Sequence, residues 1–170
     1  THFSLKKLQD IACTEELPET HQTIEENSEE KAQYVAQKYH VNCFSEDTGL
    51  EIEALNGAPG VDSAFYAGDR DADKNMDKVL QDLLPFKNRK AQFKTVLTLI
   101  LNGIQVQFTG ILKGEIAFTK KGKYGFGYDA IFVLPDGRHL AELHLDEKSK
   151  ISHRAKATQQ LMDYLENTIP

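Results

Sequence analysis

The 170-residue chain has two cysteines, Cys13 and Cys43, no long apolar run and no excess of basic charge. Two cysteines without zinc-type spacing exclude a disulfide framework and a cysteine-ligated metal site, and they fit a reducing cytoplasm. A membrane span needs roughly 18 consecutive apolar residues; the sequence has none, so no membrane partner is expected. Lys and Arg number 20 against 26 Asp and Glu, a net charge of −6. A sequence-independent nucleic-acid binder needs a basic footprint, so no nucleic-acid partner is expected either. There is no Gly-x-Ser-x-Gly elbow, neither cysteine has an evident activating histidine, and the six histidines are scattered without His-Glu-x-x-His spacing. An apolar share of 40% is ordinary for a globule. No repeat or linker divides residues 1–170, which read as one domain able to bury about 70% of its unfolded surface.

From Thr23 to about His40, Ile24, Ala32, Val35 and Tyr39 fall on one helical face. A short strand over Asn42 to Asp47 should follow, then a second strand in which Leu50, Ile52 and Ala54 alternate with Glu51 and Glu53. Gly57-Ala58-Pro59-Gly60 breaks the chain into a shaped loop. Met76, Val79, Leu80 and Leu83 lie at helical spacing ahead of Pro85. Two alternating apolar runs, Phe93 to Leu101 and Ile104 to Phe108, flank Asn102-Gly103, the strongest short-range hairpin signal. Further strands are expected at Ile116 to Phe118 and Ala130 to Leu134. A closing helix is expected to turn Ala155, Thr158, Leu161, Met162 and Leu165 inward, with Ser152 as its N-cap. Helices at both ends of a strand-rich centre define a mixed α/β domain.

Three segments carry chemistry-bearing residues, and each has a plainer reading. Ser45-Glu46-Asp47-Thr48-Gly49-Leu50 places two acids at a strand end, where alternation allows only one to face a given cleft. A carboxylate fixed there suits a hard divalent cation or a water to be activated beside phosphate; the alternative is a solvated acidic turn. Gly122 to Asp129 alternates glycines with aromatics and lacks phosphate-loop spacing. Phe126 or Tyr128 could stack on a flat ligand and Asp129 accept an N–H from it; equally, the aromatics could complete the core. Lys148 to Arg154 leads into the last helix, where cations and open backbone donors would meet an oxygen or phosphate, or form a solvated face. Among Glu15, Glu16, Glu19, Glu25 and Glu26, one could complete a metal site with Asp47, and the residues alone do not say which.

In order and spacing, these segments resemble the inosine triphosphate pyrophosphatase family. The match is carried by Ser45 to Leu50 running on to Asn56-Gly57-Ala58-Pro59-Gly60, by Gly125-Phe126-Gly127-Tyr128-Asp129, and by Glu147 to Ala155. Pro18-Glu19-Thr20 with Ile24 to Asn27 and Lys31-Ala32 resembles the segment before the family's first helix. The resemblance implies a mixed twisted sheet with flanking helices and an elongated two-lobed shape around a central cleft. It implies magnesium-dependent hydrolysis of non-canonical purine nucleoside triphosphates (ITP, dITP, XTP) to the monophosphate plus pyrophosphate, in a cytoplasmic homodimer. Carried over by position, Glu19 and Asp47 match the metal-binding acids, with Asp47 also serving the attacking water. Lys31 and Thr48 match positions near the phosphates. Phe126, Gly127, Tyr128 and Asp129 match the base-holding loop, and Lys148, His153 and Arg154 the cations around the purine.

Two departures from the family pattern stand out. The family opens with a strand and a Thr-x-Asn-x-x-Lys loop feeding a helix; this sequence starts downstream of that point, and the expectation is either about 20 to 25 further residues ahead of Thr1 or a copy that has lost its phosphate cradle. Asp62 and Phe65 stand where many relatives have an aromatic and an arginine, removing a phosphate or interface contact. A Maf-type nucleotide pyrophosphatase of other base preference, and a non-catalytic nucleotide-binding relative, are the alternatives.

Overall fold

The computed structural model describes residues 3–168. Five strands, β1 (Cys43–Ile52), β2 (Pro59–Gly60), β3 (Lys90–Leu101), β4 (Ile104–Ile116) and β5 (Phe132–Val133), pair in the order β2-β1-β3-β4-β5. Every pairing is antiparallel. The hairpin read from Asn102-Gly103 is its centre: β3 and β4 stay in register from Lys90↔Glu115 to Leu101↔Ile104. Asn102 and Gly103 both take positive φ, 51° and 80°, the two-residue turn whose twist matches the flanking strands.

β1 differs from expectation. The two strands read at 42–47 and 50–54 are one, and the acidic motif lies inside it rather than at an end. Gly49 makes this possible: a Cβ there would overlap the Gly60 carbonyl, so only glycine lets β2 come alongside. β2 pairs with β1 only at Leu50 and Glu51. The outer edge of Cys43–Gly49 therefore has no strand partner among the described residues. Farther on, residues 116–118 form no separate strand because β4 runs through to Ile116, and the strand read at 130–134 shrinks to the two residues of β5.

Helices cover both faces of the sheet. On one lies α1 (Ile24–Tyr39), capped by Thr23, whose Oγ1 accepts the Glu26 N–H at 3.2 Å. Its buried side includes the expected Ile24, Ala32 and Val35, and also the polar Asn27, Ser28 and Lys31. Ser28 Oγ bonds the Val96 carbonyl at 3.1 Å and Thr98 Oγ1 at 2.8 Å, so a hydroxyl cluster, not only apolar contact, seats α1 on β3. On the other face, α2 (Ala72–Asp82) closes a core with Leu50, Ile52, Phe93, Ile116 and Phe132. A helix not foreseen from sequence, α3 (Leu145–Ile151), precedes α4 (His153–Thr168). Ser152 caps α4 as expected, its Oγ accepting the Ala155 N–H at 3.1 Å. The buried stripe of α4 is His153, Ala157 and Leu161, rotated from the predicted one; Thr158 and Met162 are exposed. The rotation follows from β4, where Gly110 lets the helix backbone approach. No helix among the described residues is long and apolar enough to cross a membrane.

A Cβ at Gly110 would overlap the His153 carbonyl and lie 2.6 Å from the Ala157 nitrogen, so backbone rather than a flexible side chain would have to yield. Overpacking of this kind costs about 3 kcal/mol. Gly110→Ala should therefore lose about that much stability in urea unfolding, while a substitution at exposed Gln159 on α4 should stay within about 0.5 kcal/mol.

Candidate active site

β1 presents Asp47 to the α1 face of the sheet. One helical turn past the Ser28 cluster, α1 delivers Lys31, whose ammonium is 2.8 Å from Asp47 Oδ1 and 2.5 Å from Glu19 Oε1. Lys31 is buried and Glu19 half-exposed. Burial works against the lysine's charge, but the bonds from Asp47 and Glu19 outweigh it and hold the ammonium above its ordinary range. Burial pushes the Asp47 carboxyl up, opposed by Lys31; a raised carboxylate of this kind suits a proton acceptor. Two carboxylates from separate segments thus converge on a single cation. That donor set fits magnesium, which takes one or two protein carboxylates and leaves its remaining positions to water and phosphate oxygens. No cluster of three or more His, Cys, Asp or Glu ligands occurs among the described residues.

Glu46, one residue earlier, faces the opposite layer. There α4 places Arg154, whose Nε lies 2.8 and 3.0 Å from the two Glu46 oxygens and whose Nη2 lies 2.6 Å from Oε1. Thr48, on the same face, donates to Glu46 at 3.1 Å and shares a 2.6 Å bond with Thr95 of β3.

The glycine-rich loop splits into two parts. Phe126 is 71% exposed and lies under the Lys148 ammonium, 4.6 Å from its ring centre, so it is free to stack on a flat ligand. Tyr128 is in the core and donates to the Ser63 carbonyl at 2.8 Å; it shapes the loop rather than offering a stacking face. Asp129 is buried against Lys148 and accepts the Phe126 N–H at 2.9 Å. Gly127, at φ 62°, supplies the left-handed turn between them. Lys148 projects from α3, not from the start of the last helix, where only His153 and Arg154 lie. His153 is buried, stacks on Phe93 with ring centres 4.8 Å apart, and has no partner at Nδ1. Burial, with the Arg154 and Lys148 charges adding to it, lowers its pKa to about 4.

The predicted residues therefore gather as two sets on opposite faces of β1. Glu19, Lys31 and Asp47 form one; Thr48, Arg154, His153 and the Phe126–Asp129–Lys148 group lie across the sheet. No ion pair among the described residues joins the sets; adjacency of Glu46, Asp47 and Thr48 on the unpaired edge of β1 links them. A cavity of about 640 Å3 lies elsewhere, lined by residues including Arg89, Phe118 and His139, and no predicted site residue borders it. Sequence reasoning assigned no task to Glu46, Thr95 or Phe93. Strand alternation could have found the first, since it separates Glu46 from Asp47; the other two depend on register.

An α/β protein of this architecture, with acids and cations paired across a sheet edge, has clear relatives. Residues 1–164 match the sequence profile of the Ham1 family, and the chain belongs to that family. It is 55% identical over 169 residues to a dITP/XTP pyrophosphatase of Flavobacterium johnsoniae, covering 98% of this chain and 88% of the relative. It is 54% identical to the dITP/XTP pyrophosphatase of Flavobacterium psychrophilum, over 97% of this chain and 88% of that one. The structure of the Staphylococcus aureus Ham1 protein superimposes with a TM-score of 0.92 at 36% identity, covering 95% of this chain and 86% of the other.

His153 gives a testable pH dependence. Its value lies near 4 in the folded protein against an ordinary 6.5, so as pH falls below 6.5 the unfolded chain binds a proton that the folded protein does not. The contribution of neutral His153 is complete above pH 6.5 and is lost between 6.5 and 4, about 3 kcal/mol in all. Between pH 7 and 4.5, His153→Phe should lose about 2 kcal/mol less stability than the parent protein in urea unfolding. Equal losses would show that His153 does not titrate in this way.

Proposed function

We propose that this chain is a magnesium-dependent nucleoside triphosphate pyrophosphatase acting on deaminated purines, converting dITP, ITP and XTP to the monophosphate and pyrophosphate. The observation that carries the reading is the convergence of Glu19 and Asp47 on one cation at the sheet edge. The Ham1 family membership and the dITP/XTP names of relatives at 54–55% identity support the same substrate class, and favour purine over the Maf-type alternative.

Water adds across the α–β anhydride, so one P–O bond forms and the bridging P–O bond breaks. Asp47, raised by burial, takes the proton from the attacking water. Glu19 and Asp47 would hold the magnesium ion, which when bound would supply a concentrated positive charge to the phosphate oxygens. Lys31 adds a second charge beside them, in a place where burial makes it count for more than it would in water. Across the sheet, Phe126 stacks on the base, while Lys148, Arg154 and neutral His153 present donors to its 6-keto oxygen. An adenine would set its amino group against those donors and leave them unpaired, which is costly in a desolvated site. The reading carries a cytoplasmic homodimer with it.

Purified protein should release pyrophosphate from ITP and XTP at least tenfold faster than from ATP; equal rates reject the substrate class. Asp47→Asn should lower kcat by about 10²- to 10⁴-fold, the usual contribution of a general base, while far-UV circular dichroism stays unchanged. A kcat near that of the parent removes Asp47 from the proton transfer. Light scattering at micromolar concentration should give twice the chain mass.

A further inference from the structure

We propose that Glu46 is the positioning residue of the base end: it orients the Arg154 guanidinium, and through it sets the discrimination between 6-oxo and 6-amino purines. The inference rests on the pyrophosphatase reading above.

Alternation on β1 gives the two neighbouring acids different tasks. Asp47 meets Lys31 beneath α1, whereas Glu46 meets Arg154 at the start of α4. Glu46 takes Arg154 from the side, through Nε and one hydrogen of Nη2. A guanidinium carries five N–H donors, so Nη1 and the outer hydrogen of Nη2 stay available. Neither has another protein acceptor among the described residues. The pair thus orients the fork without consuming it. Glu46 is itself fixed, accepting from Thr48, which is tied to Thr95 on the next strand. The arginine's backbone is fixed too, because the preceding residue packs against Gly110.

The Arg154 and Glu46 side chains are 45% and 31% exposed. Ion pairs so open to water add little to stability. What the pair does supply is direction. A fork held in one orientation rewards an acceptor in front of it and penalises a donor; a fork free to turn away does neither as strongly. A 6-keto oxygen and a 6-amino group differ in that respect.

The test is steady-state kinetics with ITP and ATP in magnesium on the parent protein, Glu46→Gln, Glu46→Asp, Arg154→Ala and the Gln/Ala double variant. Glu46→Gln should reduce the ITP:ATP ratio of kcat/KM at least tenfold, with the loss falling on KM more than on kcat and the melting temperature within about 2 °C of the parent. Glu46→Asp should recover part of the ratio. The double variant should be no less selective than Arg154→Ala alone. An unchanged ratio, a loss confined to kcat, or additive effects in the double variant would each overturn the proposal. If the parent releases no pyrophosphate, the pyrophosphatase reading fails. Calorimetric binding of IMP and AMP then decides the positioning claim by itself: the parent must prefer IMP and Glu46→Gln must narrow that preference tenfold, and any other result rejects it.

Discussion

A lysine ammonium withdrawn from water is costly to leave unpaired, by several kcal/mol even after relaxation, and Lys31 is buried to within 8% of full enclosure. Its two carboxylate partners come from different parts of the chain, Glu19 from the segment before α1 and Asp47 from β1. The triad therefore ties three segments together at one point. The hydroxyls of Ser28, Ser45 and Thr98 hold α1 at the matching height on the sheet. Removing Lys31 would leave the largely buried Asp47 carboxylate without a counter-charge, so the arrangement is specified more tightly than apolar packing alone would demand.

The same economy is repeated at the other charged positions. Lys148 sits on Asp129 and Arg154 on Glu46, so each cation assigned to the nucleotide already has a counter-charge of its own. His153, between them in sequence, avoids the problem by staying neutral. A chain of net charge −6 can in this way carry a local set of cations without a basic surface. The overall acidity says nothing against a small polyanion, because the relevant charges are local and paired.

Much of the architecture was legible in the sequence where local chemistry and period agree. The Asn102-Gly103 hairpin, the α1 stripe and the Ser152 cap each rest on a rule that involves only near neighbours. Reading failed where distant backbone decides. Gly49 looks like a breaker in sequence but sustains β1, because Gly60 lies alongside it. Gly110 rotates α4 by letting its backbone settle on the sheet, which swaps Ala157 for Thr158 in the buried stripe. α3 was invisible because a seven-residue helix offers too little period. At the site, the residue types were readable but their division between two faces, and the partnership of Glu46 with Arg154, required the register of β1 against β3 and α4.

The seat of α4 on Gly110 has a mechanical meaning. Lys156 and Gln160 bond the carbonyls of Ile111 and Thr109 at 2.8 Å each, so the helix is pinned at three successive levels along β4. It can neither slide nor roll without breaking a bond or driving main chain into main chain. Diversification is thereby channelled to the outward side of the helix, whose residues can be exchanged while the groove-facing turn that bears positions 153 and 154 keeps its place.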